Sequence, residues 1–239
     1  MELLSLYNRH ELKDNLEDFL VFGSYPEIIT ARGRKGKIAI LEEIVNSYLL
    51  KDVLALERIK GSRVLLDLLK LIAFQIGSQV SLNELAGQLK IDVKTVGRYL
   101  DILEKAFVIR RIGGFSRNLR KEVVSKAKYY FLDNGIRNAV ISQFNPLDSR
   151  NDTGALWENF IVAERIKKCA YQDIYGSFYF WRTYDGQELD LVEEREGKLF
   201  GYEIKWSREK GKTPKDWVKS YKQSEYLIIN KENYMDFIL

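Results

Sequence analysis

The stretch GQELDLVEEREGKLFGYEIKWS (186–207) has the pattern of two short β-strands joined by a tight turn, because apolar and charged residues alternate on both sides of Glu196-Gly197. Pairing the two strands about that turn places Asp190 opposite Glu203. Opposed residues of an antiparallel pair share a face of the sheet, with Cβ atoms about 5 Å apart. The sequence therefore predicts a hairpin that carries two neighbouring carboxylates on one face.

The same register places Glu188 opposite Lys205 on the acidic face of the hairpin. The other face is predicted to join the core, with Leu189, Leu191, Tyr202 and Ile204. Two carboxylates this close repel each other, and a hard divalent cation such as Mg²⁺ or Mn²⁺ would relieve the repulsion and can activate a water molecule. The alternative is an ordinary surface hairpin with a Glu188–Lys205 ion pair.

The composition is that of a globular protein, since 46% of the 239 residues are hydrophobic and 30% are charged. The net charge of +4 permits a nucleic-acid partner but does not require one. The single cysteine, Cys169, excludes a disulfide framework within the chain and favours a reducing, cytoplasmic location. Because no stretch approaches about 18 consecutive apolar residues, we expect no helix that spans a membrane.

Residues 8–76 have the apolar spacing of helices, with a predicted helix over 37–59 and a predicted turn at FGSYPEIIT (22–30). Two short amphipathic helices follow, at about 81–89 and 93–105. The second has a predicted inward stripe of Val93, Val96, Leu100 and Leu103. A strand near 108–115 with a turn at Gly113-Gly114 completes a helix–turn–helix with a β wing, which is the winged-helix pattern.

The candidates for contact with a nucleic acid share a basic side chain and a place in the winged helix or beside the acidic hairpin: Lys94, Arg98, Arg117, Arg182, Lys210 and Lys212. Basic side chains on such a unit can meet a phosphate backbone. The alternative is that the winged helix serves packing or protein contact and that these side chains are simply solvated.

The turn-rich segment QFNPLDSRNDTGA (143–155) predicts a domain boundary, and a helix and four strand-like runs follow it. The predicted fold class is a multidomain α and β protein. It consists of an N-terminal helical segment (1–76), a winged helix-turn-helix domain (77–146) and a C-terminal α/β domain (147–239).

Asp190 and the separated Glu203-Ile204-Lys205 resemble the D…(D/E)-x-K signature of the PD-(D/E)XK nuclease superfamily, which often carries a helical acid where this chain has Glu158. The chain also resembles, in the expected order, the C-terminal part of a prokaryotic AAA+-type ATPase family with a DUF4143 domain, through GSYPEII, SYLLKDV, YYFLDNGIRNAV, GALWENFIVAE, FWRTYDGQELDLV and GYEIKWS. The resemblance covers nearly the whole chain. It implies a restriction-endonuclease-like C-terminal domain, a Mg²⁺ or Mn²⁺ ion held by Glu158, Asp190 and Glu203, and catalytic roles for Asp190, Glu203 and Lys205.

The ATPase domain of that family is missing from this sequence. No G-x-x-x-x-G-K-[ST] loop is present, so we expect no ATP site here and regard an ATPase domain as a candidate partner. The leading function is binding of DNA or RNA, to which a divalent-metal-dependent phosphodiesterase site would add cleavage. The alternative is an inactive nuclease fold that serves as a protein-docking or regulatory module of a AAA+-type ATPase. The choice of nucleic acid and the oligomeric state stay open.

Overall fold

The computed structural model describes residues 8–47, 62–117, 126–207 and 213–239. Within these residues the chain forms eleven α-helices and one seven-stranded β-sheet. The helices are α1 (Arg9–Asp14), α2 (Leu16–Phe22), α3 (Pro26–Thr30), α4 (Gly33–Glu43), α5 (Ser62–Phe74), α6 (Leu82–Leu89), α7 (Val93–Lys105), α8 (Asn134–Val140), α9 (Thr153–Tyr171), α10 (Lys215–Ser220) and α11 (Tyr234–Ile238). The strands are β1 (Gln79–Val80), β2 (Ile109–Gly114), β3 (Ala127–Phe131), β4 (Ser177–Arg182), β5 (Glu188–Arg195), β6 (Lys198–Ile204) and β7 (Glu225–Ile229).

The N-terminal segment is helical, as predicted, with one difference at its proline. Pro26 begins a short helix, α3, rather than a turn. A proline is tolerated at the first helical position because the N–H that it lacks would have no partner inside the helix. The helix predicted over 37–59 is present in its first part as α4, and the part from residue 48 lies outside the described residues.

Helices α6 and α7 meet at a sharp turn, which confirms the predicted pair of helices. The Ser81 hydroxyl accepts a hydrogen bond from a backbone N–H in the first turn of α6, and the Asp92 carboxylate does the same for α7. Between the two caps, Lys90 adopts the left-handed conformation with φ of 55°. This residue ends α6 and turns the chain into α7.

The predicted apolar stripe of α7 is confirmed except at its first position. Val96, Leu100 and Leu103 are buried, whereas Val93 is 39% exposed. Val93 is the first residue of the helix, where the chain has only just left the turn.

The sheet has the strand order β1-β3-β2-β4-β5-β6-β7. The pairs β2–β4 and β6–β7 are parallel, and the other neighbouring pairs are antiparallel. The turn predicted at Gly113-Gly114 is wrong, because both glycines lie inside β2, opposite Tyr179 and Phe180 of β4. A strand partner distant in sequence keeps the chain extended at this point.

A β-bulge interrupts the pairing of β4 with β5. Tyr179 lies opposite Val192, but Trp181 lies opposite Leu189. Two residues of β5 therefore face one residue of β4, which locally breaks the alternation of side chains along β5.

The bulge changes the packing of the β5 side chains. Leu189 packs with Trp181 and Trp217 in a small hydrophobic cluster, whereas Leu191 packs in the large one. The prediction that Leu189 and Leu191 share a core face is therefore wrong. Asp190, which lies between them in the bulge, is only 7% exposed.

The large hydrophobic cluster packs the helices against the sheet and draws residues from both sides of residue 147. One sheet likewise extends across that residue, so the domain limits expected at 77 and 147 stay predictions. In the described part of the chain, no helix is both long enough and apolar enough to cross a bilayer.

Candidate functional site

Strands β5 and β6 form the acidic hairpin in the predicted register. Leu191 lies opposite Tyr202, and Arg195 lies opposite Lys198. Both residues of the Glu196-Gly197 turn have positive φ, 52° and 73°. A type I′ turn requires these angles, and its twist matches that of the strands it joins.

Beyond Leu191 the backbone pairing of the hairpin ends, and the side chain of Asp190 takes its place. The Ile204 N–H donates a hydrogen bond of 2.7 Å to Oδ2 of Asp190. The other carboxylate oxygen, Oδ1, lies 3.7 Å from the Nζ of Lys128 on β3. Asp190 therefore links the end of the hairpin to a strand on the other side of β4.

The ammonium of Lys128 lies among three carboxylates. Its Nζ is 3.2 Å from Glu158 Oε1 on α9, 3.5 Å from Glu188 Oε1 and 3.7 Å from Asp190 Oδ1. Only 1% of the Lys128 side chain is exposed. Tyr130, also on β3, donates its O–H to Glu158 Oε1 at 2.6 Å. We call these five residues the Lys128 cluster, and they join α9, β3 and β5.

Burial and charge shift the pKa values in the Lys128 cluster. Burial alone would lower the pKa of Lys128, but the carboxylates of Glu158, Asp190 and Glu188 outweigh it and hold that pKa above its usual value. Burial, followed by the charge of Glu158, raises the pKa of Asp190 to about 7, although Lys128 acts in the opposite direction. Burial and Glu158 also raise the pKa of Tyr130. Lys128 therefore stays charged at neutral pH, where Asp190 titrates.

Glu203 and Lys205 belong to a second group. The Nζ of Lys205 lies 3.1 Å from Glu203 Oε1, and Tyr226 on β7 donates its O–H to Glu203 Oε2. Burial acts to lower the pKa of Lys205, but the hydrogen bond to Glu203 outweighs it, so this pKa is raised. The candidate catalytic lysine is thus an ammonium paired with its neighbouring carboxylate.

The residues predicted to form one site make their direct contacts in two groups, which are near enough for Asp190 and Glu158 to raise the pKa of Lys205. The structure brings Glu158 and Asp190 together around Lys128, and it pairs Glu203 with Lys205. The expected pairing of Glu188 with Lys205 is replaced, since Glu188 contacts Lys128 and also lies 3.4 Å from Nη1 of Arg182.

The Lys128 cluster, as arranged, does not fit the divalent cation that the resemblance implies. Among the described residues, no three histidine, cysteine, aspartate or glutamate side chains are grouped so that they could hold a metal ion. The Nζ of Lys128 lies between the acids that would serve as ligands. Mg²⁺ would need those oxygens at about 2.0–2.1 Å.

Lys128 is missing from the site predicted from the sequence, although the sequence contains one signal for it. In AKYYF (127–131) a lysine stands in a strand that is buried throughout. A buried lysine requires acidic partners, because an unpaired charge is costly away from water. The partners themselves lie on α9 and β5, and only the folded chain identifies them.

Two of the predicted nucleic-acid contacts have favourable geometry. Lys94 and Arg98 are exposed on α7, four residues and hence about one helical turn apart. Within the described ranges, neither side chain has a carboxylate at ion-pair distance.

The other predicted contacts are paired or not described. Arg117 is exposed, but its Nη2 lies 3.0 Å from Glu194 Oε1. Arg182 contacts Glu188, as noted above. Lys210 and Lys212 lie outside the described residues.

A groove of about 430 Å³ opens beside the first turn of α7. Arg111 of β2 and Lys126, just before β3, line it together with the apolar side chains of Val80 and Val93. Both basic residues are exposed, so positive charge extends from α7 to the strands that follow it in sequence.

These features define a mixed α/β protein in which one sheet carries the α6–α7 helix pair and three acidic side chains around a buried lysine. Residues 13–147 match a family described as a domain of unknown function, DUF8612. Because this match covers more than half of the chain, the chain belongs to that family. Residues 153–236 match a second domain of unknown function, DUF4143, which confirms that part of the resemblance.

Similar proteins occur in bacteria and in an archaeon, and those found are described as uncharacterized. A Mycobacterium tuberculosis protein is 29% identical over 185 residues, which are 77% of this chain and 41% of the relative. A Haemophilus influenzae protein is 22% identical over 203 residues, which are 82% of this chain and 48% of the relative. A Methanocaldococcus jannaschii protein is 25% identical over 206 residues, which are 84% of this chain and 44% of the relative. The chain therefore spans less than half the length of these relatives. No solved structure matches it.

Proposed function

We propose that the chain binds nucleic acid and that α7 lies against the phosphate backbone. The observation that carries this proposal is the pair of exposed basic side chains, Lys94 and Arg98, without carboxylate partners in the described part of the chain. Exposed cations on one helix gain binding free energy when they neutralise phosphates and release condensed counterions.

The arrangement of α6, α7, β2 and β3 supports a winged-helix unit, with β1 paired to β3 as the third strand. In such a unit the second helix enters the major groove of DNA. Duplex DNA is the favoured ligand, because its major groove admits a helix, whereas that of duplex RNA is deep and narrow. Arg111 and Lys126, in the groove beside α7, would extend the contact along the backbone.

The second candidate function is that of a docking or regulatory module. Strands β4 to β7 with α9 support a restriction-endonuclease-like unit, but the buried ammonium of Lys128 counts against cleavage through a bound metal. A protein partner is favoured by the relatives, which are more than twice as long as the region they share with this chain. An ATPase domain, as the AAA+-type resemblance implies, would be that partner.

Fluorescence anisotropy with a labelled DNA duplex, at several salt concentrations, tests the first proposal. The double variant Lys94→Ala/Arg98→Ala should bind more weakly than the parent. The slope of log affinity against log salt should decrease by about one unit for each lost phosphate contact.

The double variant Arg32→Ala/Lys35→Ala is the matched control, because it removes one arginine and one lysine that are exposed at the start of α4. It should retain the affinity and the salt slope of the parent. Equal losses in both double variants would contradict a specific role for α7. Tighter binding of an RNA duplex would overturn the choice of DNA.

A further inference from the structure

The Lys128 side chain extends toward the acids of the Lys128 cluster from β3, a strand with neighbours on both edges. Lys128 is paired with Gln79 of β1 on one side and with Ile112 of β2 on the other. Its Nζ also lies 5.8 Å from the centroid of the Phe180 ring. Because β3 has a paired strand on both edges, the backbone at Lys128 is held in the interior of the sheet.

In the described ranges, each of the three carboxylates near the ammonium comes from another element of the fold. Glu158 reaches it from α9, and Glu188 and Asp190 reach it from β5. Each of these acids has a further partner that fixes its orientation: the hydroxyl of Tyr130 for Glu158, the guanidinium of Arg182 for Glu188, and a backbone N–H for Asp190. The oxygens are therefore already aimed at the position that Nζ occupies.

A divalent cation bound by the same oxygens would lie within a few ångströms of the ammonium. Two cations at such a distance repel each other strongly where water is excluded. The ammonium and a divalent cation therefore compete for one position, and the ammonium is covalently attached to the sheet.

We propose that Lys128 is a built-in cation that takes the place of a divalent metal, so that this protein carries a latent metal site closed by its own side chain. This inference goes beyond nucleic-acid binding, and it does not depend on it. It predicts that the acids of the cluster accept a hard divalent cation such as Mn²⁺ once the lysine side chain is shortened.

The test measures Mn²⁺ binding by the full chain. Electron paramagnetic resonance detects the ion that remains free in solution. The Lys128→Ala variant should bind one Mn²⁺ at least about tenfold more tightly than the parent. The double variant Lys128→Ala/Asp190→Asn should lose this gain, because it lacks one of the ligands. The Lys13→Ala variant removes an exposed lysine from α1 and should bind Mn²⁺ no better than the parent.

A second variant and a second measurement keep the test decisive if Lys128→Ala folds poorly. Lys128→Gln removes the charge but keeps a long polar side chain in the cluster. Its melting temperature should rise on addition of Mn²⁺, whereas that of the parent should not. The proposal is overturned if the parent takes up Mn²⁺ through Asp190 as tightly as the variants do. It is also overturned if both Lys128 variants fold and gain no affinity for Mn²⁺.

Discussion

Among single residues, Asp190 shows most clearly how the fold sets the charge of a side chain. Burial and the nearby Glu158 raise its pKa from the usual 3.8 to about 7. The folded protein therefore keeps a proton on Asp190 at pH values where the unfolded chain has lost it. The stability that this proton contributes is complete below about pH 4 and is lost as the pH rises through about 7.

The Asp190→Asn variant tests this titration, since asparagine keeps the shape of the side chain and does not ionise. Relative to the parent, the variant should gain free energy of unfolding between about pH 4 and pH 8, by at most about 4 kcal/mol, because one pKa unit corresponds to about 1.4 kcal/mol. Urea denaturation of both proteins across this range measures the difference. A difference that is the same at every pH would show that Asp190 does not titrate as described.

The two parts of the candidate site differ in how well the sequence predicts them. The register of the hairpin is predictable because it depends on a local feature, the two-residue turn at Glu196-Gly197. The position of Lys128 is not predictable, because it depends on the order of four strands and on the packing of α9. The sequence also does not predict the side of the sheet on which Leu189 packs. The bulge that determines this side forms only when β5 pairs with β4.

At the scale of elements, one buried amide joins α9 to β3. The Asn159 side chain accepts a hydrogen bond of 2.8 Å from the Phe131 N–H and donates one of 2.9 Å to the Phe131 carbonyl. It also donates to the side chain of Asn134 at 2.7 Å. Asn159 is fully buried, so no water can replace these bonds without a rearrangement. This amide therefore fixes the helix that supplies Glu158.

The Asn159→Ala variant should lose about 3 kcal/mol of unfolding free energy, because it leaves the N–H and C=O of Phe131 buried without partners. Urea denaturation measures the loss. The control is Asn151→Ala, which truncates an exposed asparagine just before α9 and should change stability by less than about 0.5 kcal/mol. Similar, small losses in both variants would mean that the amide does not support the helix.

Most elements are predictable because their signals are local. Helices α6 and α7 can be recognised without knowledge of the rest of the fold. Their signals are the N-terminal caps at Ser81 and Asp92 and the apolar spacing of α7. The Gly113-Gly114 pair is misleading because glycine favours turns in isolation, yet β4 pairs with both residues here. This error, like the one at Leu189, occurs where a distant strand determines the local conformation.

At the scale of the whole molecule, a junction between β2 and β4 is one of the contacts that join the two regions that match separate families. Gly113 and Gly114 pair with β4, and the Phe115 N–H donates a hydrogen bond of 2.7 Å to the Phe180 carbonyl. The large hydrophobic cluster continues through the same region. We therefore expect the two regions to unfold together.

The positions of the tryptophans allow this expectation to be tested. All four lie between residues 157 and 217, so tryptophan fluorescence reports on the region that matches DUF4143. Far-ultraviolet circular dichroism reports on helices throughout the chain, many of which lie in the region of DUF8612. The thermal transitions measured by the two methods should coincide. Two transitions at different temperatures would show that the junction does not couple the regions.

The parallel pairing of β2 with β4 also has a consequence for the way the protein is made. A translating ribosome releases β2 and β3 well before residues 177–182, which form the missing neighbour of β2. During that interval the free edge of β2 presents unpaired N–H and C=O groups, and its two glycines offer no side chains to shield them. Such an edge readily pairs with a strand of another chain. The nascent chain is therefore more prone to edge-to-edge aggregation before β4 emerges than after β2 and β4 have paired.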